Sequence, residues 1–258
     1  MTSLRVALAV AVNTFRESIR NKLLYNIVFV ALGVIVFSVS LGDWSVFARV
    51  QVMQDFGLAT MSLTGLLLSV LIGVGLLGRE VSSKTVYMVI TKPVSRAAFV
   101  VGKFAGLLAT LFLNYVLLVV VFWVAILYMG GAAQPSLLAA VLLIWVEMAV
   151  MIAASIFFST FTSGPVFAAI LTAAFYVGGH INDMISIEYL ELKQTWLVPV
   201  LKAMYFVLPN LEHFNVRTAI VYGLVLPPHY VWLALWYGVM YAVLLLFLSC
   251  VAFGRRDV

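Results

Sequence analysis

Charge and cysteine are both scarce in this chain of 258 residues. Only 10% of its residues are charged and one is cysteine, while 65% are hydrophobic and the mean hydropathy is +1.15. An average soluble domain carries about 25% charge and roughly 45–50% apolar residues, so a soluble fold is excluded. A single core of this size could not bury so much apolar surface, and the bilayer must solvate most of it. The lone Cys250 excludes an intramolecular disulfide and a cysteine-based metal cluster. His180, His213 and His229 have no ligand spacing such as HExxH, and no metal site is expected.

What the chain does have is long apolar runs. Spanning about 30 Å of hydrocarbon takes roughly 20 apolar residues in a helix, and six runs approach this: about 23–41, 56–77, 99–129, 137–160, 165–181 and 230–253. Turn signals separate them, namely Gly42-Asp43, Gly130-Gly131 with Pro135-Ser136, Ser163-Gly164-Pro165 and Pro227-Pro228. The expectation is an all-α polytopic membrane protein, one transmembrane domain over 1–258 with six transmembrane helices. Six spans put both termini on one side. Placing the N and C termini in the cytoplasm leaves eleven of the fifteen Lys and Arg inside, as the positive-inside rule requires. Most of the +5 net charge is thus explained by topology, and no nucleic-acid partner is expected.

Residues 1–22 read as an interfacial amphipathic helix. At about 100° per residue, Leu4, Leu8, Val12, Phe15 and Ile19 fall within roughly 80°, beside a polar arc of Arg5, Asn13, Arg16, Glu17 and Arg20. Such a helix lies in the cytoplasmic leaflet with its arginines at headgroup level. The long outer segment, 182–229, holds two apolar stretches, Trp196–Leu208 and Val216–Leu226, too short to cross the bilayer. They are expected to be interfacial or re-entrant and to cap the outer mouth of the bundle.

The cytoplasmic loop 78–98 carries the densest charge. Gly78 followed by Ser83-Lys84-Thr85 imitates a phosphate-binding loop, but Ser83 replaces the second glycine and Glu80 puts an anion where phosphate would lie. No true phosphate loop occurs elsewhere in the sequence, so any energy from ATP must come from another chain. Val81, Thr85, Met88 and Val89 form one stripe of a short helix that Pro93 ends. Ser95 is positioned to cap a new helix starting near Arg96. The resulting amphipathic helix suits either a cytosolic partner or the lipid headgroups.

The spacing E-x4-T-x7-P-x2-R from Glu80 through Thr85 and Pro93 to Arg96, followed by Gly102-Lys103, resembles the pattern after the second span of ABC-2 type transporter permeases. Phe158–Pro165 is similar to that family's turn between spans four and five, and Phe253–Asp257 to its ending. The resemblance implies a permease subunit in a prokaryotic inner membrane, paired with itself or a related permease. It also implies two copies of a cytosolic ABC ATPase subunit docked on the loops, with ATP and Mg held there and no cofactor or catalytic residue in this chain. Glu80, Val81, Thr85, Met88, Pro93 and Arg96 would form the coupling site, with 81–92 as coupling helix.

Glu147 is the one acid placed deep in a span, where a charge costs roughly 2.5–3.5 kcal/mol. It is either a carboxylate that works in transport or a protonated group bonded to Asn114 or Tyr115. Gly102 and Gly106 form a GxxxG that marks a helix contact. Trp44, Trp123, Trp196 and Trp232 fall near the outer boundary as interfacial anchors. The function expected is ATP-driven export of a lipid-like or amphiphilic substrate. The alternatives are mechanotransmission to an extracytoplasmic partner and an ion-coupled carrier using Glu147.

Overall fold

The computed structural model describes residues 3–45, 48–82, 95–132, 134–162, 164–181, 205 and 207–255. Among these residues there are helices and turns and no strand. The elements are α1 (Ser3–Ile19), α2 (Lys22–Trp44), α3 (Arg49–Ser82), α4 (Arg96–Tyr128), α5 (Pro135–Phe161) and α6 (Pro165–Ile181). A single 3-10 turn (Leu211–Phe214), a short α7 (Arg217–Val221) and α8 (Tyr230–Arg255) follow.

Five of these helices, α2, α3, α4, α5 and α8, are long and apolar enough to cross a membrane. The 17 residues of α6 are apolar but reach only about 25 Å. At the other extreme, the 34 residues of α3 and the 33 of α4 each extend about 50 Å, well past a hydrocarbon layer of about 30 Å.

Helix α5 is the centre of the bundle. Every residue from Val146 to Ile156 is buried, because the helix is apolar on all sides and packs against α3 and α8. Small side chains let α3 approach it. Gly65 and Gly73 of α3 face Met148 and Ser155, and the Ser69 hydroxyl between them donates to the Gly65 and Met148 carbonyls at 2.7 and 3.3 Å. By contrast α2 and α8 leave most of their apolar surface exposed, as suits helices on the lipid side.

The expected amphipathic helix α1 is present, but it has a face that its apolar and polar arcs did not reveal. Ala7, Val10, Ala11, Thr14 and Ser18 occupy a third arc of about 100°, and this face is docked on α4. A Cβ on Gly102 would lie 2.6 Å from the Ala7 carbonyl oxygen, and one on Gly106 2.6 Å from that of Ala11. The constant offset shows that α1 runs parallel to the first half of α4, lengthwise along it. Leu4, Leu8 and Val12 point outward, together with Arg5, Arg16 and Arg20.

Candidate functional site

The first half of α1, the start of α4 and the last turn of α8 meet at one end of the bundle. There Ser95 caps α4, its side chain accepting from the Ala98 N–H at 3.3 Å as its position predicts. One residue on, the Arg96 guanidinium donates to the carbonyls of Phe253 at 2.8 Å and Gly254 at 3.0 Å, and lies over the Phe253 ring. A cation on the last carbonyls of a helix also meets the negative end of its dipole. Phe99 stacks on the same ring, and the fully buried Lys103 holds its ammonium 5.6 Å from the Phe99 ring centre. Two of the stretches that carry the family resemblance, around Arg96 and around Phe253, therefore touch.

The other coupling residues are not brought into view. Glu80 and Val81 lie in the last turn of α3, which continues beyond the span expected, and nothing is described of their side chains. Thr85, Met88, Pro93 and most of the proposed coupling helix lie outside the described residues.

At the far end of the bundle Glu147 is 2% exposed and has a partner that the sequence did not suggest. His180 Nε2 lies 3.4 Å from its Oε1 and 4.0 Å from Glu212 Oε2, so one imidazole sits between two carboxylates. The closer contact lacks hydrogen-bond alignment. The expected partners are engaged elsewhere, Asn114 donating to the Thr110 carbonyl at 2.7 Å and Tyr115 to that of Met61 at 2.9 Å. Helix geometry explains the meeting. Glu147 is about 21 Å along α5 from Phe161 and His180 about 22 Å along α6 from Pro165, on either side of one tight turn.

The segment 207–222 covers this cluster. Its seat is a row of α8 tyrosines at i, i+7 and i+11: Tyr230 donates to the His213 carbonyl at 3.0 Å, Tyr237 accepts from the Asn210 N–H at 2.9 Å, and Tyr241 donates to the Val207 carbonyl at 2.7 Å. Val207 is thereby held about 16 Å from the α8 end at Tyr230. Leu211 and Phe214 are fully buried, Leu211 against Gly179 of α6 and Phe214 against Gly238 of α8. Arg217 pairs with Asp55 of α3 at 2.9 Å, and Asn215 donates to Glu212 at 2.7 Å. The tyrosine spacing was a legible signal for this seat. Of the first apolar stretch expected in the cap, only Tyr205, Val207 and Leu208 are described. Among the described residues no group of His, Cys, Asp or Glu is placed to hold a metal ion.

The model of the ABC-2 family transporter proteins matches residues 8–258. The chain belongs to this family. No curated protein matches it at a significant level. Family membership makes the chain an integral membrane permease of an ABC transporter, a transport subunit that is not itself catalytic.

Proposed function

We propose that this permease has six spans and cytoplasmic termini in a prokaryotic inner membrane. It pairs with itself or a related permease and exports a lipid-like or amphiphilic substrate, using ATP and Mg bound by two cytosolic ATPase subunits. The family match over 8–258 carries the reading. The geometry supports a route for motion. Movement of the 78–98 loop reaches Ser95 and Arg96 directly, and Arg96 hooks α4 to the end of α8. Helix α8 carries the tyrosines that hold the cap, so displacement of α8 is displacement of the cap's seat.

Export requires the cap to leave that seat. The alternative, mechanotransmission, requires it to stay and move with α8, and the full burial of Leu211 and Phe214 favours this second reading enough to test it. A bifunctional thiol cross-linker of about 8 Å between Val207→Cys and Tyr241→Cys, in a Cys250→Ser background, separates them, because a bond made through the tyrosine hydroxyl holds the two Cα atoms farther apart than the roughly 7 Å that a disulfide bridges. The cross-link abolishes transport by an exporter and leaves a mechanotransmitter able to drive its outer partner.

The first test is purification of the tagged chain from its native membrane in mild detergent. A stoichiometric ATPase should accompany it, and Glu80→Ala should uncouple ATP hydrolysis while insertion stays normal. A chain isolated alone, under conditions that preserve known complexes, overturns the ATPase-driven reading and moves the ion-coupled carrier with Glu147 to the front.

A further inference from the structure

A groove of about 900 Å³ runs between α2 and α4 on the outside of the bundle. Its walls are apolar and exposed, formed chiefly by Phe29 of α2 and Leu113, Leu117 and Val120 of α4. Along α2 it extends from Leu24 to Leu32 and along α4 from Leu113 to Val121, about 12 Å on each helix and close to the ~15 Å of hydrocarbon in one leaflet. A groove of that length matches one acyl chain.

Three cations flank the Ile19 end of the groove in the chain. Ile19, the last residue of α1, lines it, and Arg16 lies one turn earlier, about 60° from Ile19 around α1. Lys22 sits one turn below Asn26, which also lines the groove, and on the same face of α2. Arg20 occupies the joint between the helices, and all three cations are exposed. The acid nearest to them in the chain, Glu17, faces about 160° away from Ile19 on α1. The long stems of arginine and lysine let their charges reach headgroup level while the groove lies in the hydrocarbon.

We propose that this groove binds one anionic phospholipid, its acyl chain between α2 and α4 and its phosphate on Arg16, Arg20 and Lys22. The lipid bridges the α1–α2 joint to α4, extending the contact that Gly102 and Gly106 make at the other end of α1. Cations beside an apolar slot between helices form a lipid-headgroup site, and three of them prefer an anionic headgroup over a zwitterionic one. The proposal rests only on the chain's spanning a membrane, and is independent of what the permease carries.

The test is native mass spectrometry of the full chain extracted from membranes of equal phosphatidylglycerol and phosphatidylcholine. One phosphatidylglycerol per chain should persist, with roughly tenfold preference over phosphatidylcholine. Arg16→Gln with Arg20→Gln and Lys22→Gln should abolish the preference, and Arg16→Lys with Arg20→Lys should keep it. Because charge removal can disturb insertion, Val120→Trp is the second variant: it fills the groove, keeps the cations and should lower retention of both lipids. Equal retention of the two lipids by the unmodified chain overturns the proposal, as does a preference that survives both variants. Cross-linking of Val120→Cys between two copies of the chain would overturn it too, by assigning the groove to a second copy.

Discussion

The two ends of the bundle are held by different physics. At the end carrying the termini, α1 and α4 meet at backbone distance over Gly102 and Gly106, and Arg96 ties α4 to α8 through two main-chain carbonyls. Dispersion between closely packed backbones and a cation on main-chain carbonyls dominate there. At the opposite end the cap is held by tyrosine hydroxyls, the imidazole between Glu147 and Glu212, and the Asp55–Arg217 pair. Polar contacts of that kind can be exchanged for water. Under the proposed function, the difference suits a permease driven from one end and opened at the other.

The sharpest way to break the comparison is to put a side chain between α1 and α4. Gly106→Leu places a branched side chain where even a Cβ meets the Ala11 carbonyl oxygen and Thr14. Overpacking of this kind costs about 1–3 kcal/mol or more. Thermal unfolding in detergent should show it, along with protease cleavage within α1. An unchanged melting curve would mean that α1 is not seated on α4.

Next comes the buried carboxylate. Glu147→Gln and His180→Gln, singly and together, should give a double-mutant coupling of about 1 kcal/mol, measured by unfolding. Glu147→Gln alone should also raise the labelling rate of a cysteine placed at the buried Leu211, reporting a loosened cap. Normal transport and normal labelling would reduce Glu147 to a packing residue.

These two predictions also mark what was legible in the sequence. Apolar runs and the Ser95 cap follow from local chemistry; the cap appears where that chemistry puts it, and five of the six runs fall in helices long and apolar enough to cross a membrane. The Gly102/Gly106 contact was legible as a contact but not as a contact with α1, because a parallel partner some 95 residues away leaves no mark in either stretch. Small residues on α1 were hidden between two louder arcs, one apolar and one charged. Glu147 was legible as an anomaly. Its partner was not, since no local pattern pairs His180 with Glu147 before α5 and α6 set both groups at one depth. The Gly65 and Gly73 pair on α3 escaped because eight-residue spacing exceeds the GxxxG period.

A smaller effect is expected at Arg96. Arg96→Lys keeps the charge but loses the planar guanidinium that lies over the Phe253 ring while its Nη1 donates to both carbonyls, and the two side chains are not interchangeable at such a site. A loss of about 1 kcal/mol in stability should follow. If ATP hydrolysis also uncouples from transport to the same extent in Arg96→Lys as in Glu80→Ala, Arg96 belongs to the route of motion as well as to the fold.

The smallest effect sharpens the contrast most cleanly. Arg217 and Asp55 form a 2.9 Å pair whose side chains are 37% and 38% exposed. An exposed pair of this kind contributes about 0.2–1 kcal/mol and is screened by salt. Arg217→Gln should therefore barely move the melting temperature at high salt and lower it slightly at low salt, whereas Gly106→Leu should be indifferent to salt. Cysteine labelling at Leu211 should rise in Arg217→Gln only at low salt, where the native pair still holds the cap. Were the salt dependence to appear instead in Gly106→Leu, the division between a packed end and a polar end would be wrong, and α1 would be held by its arginines.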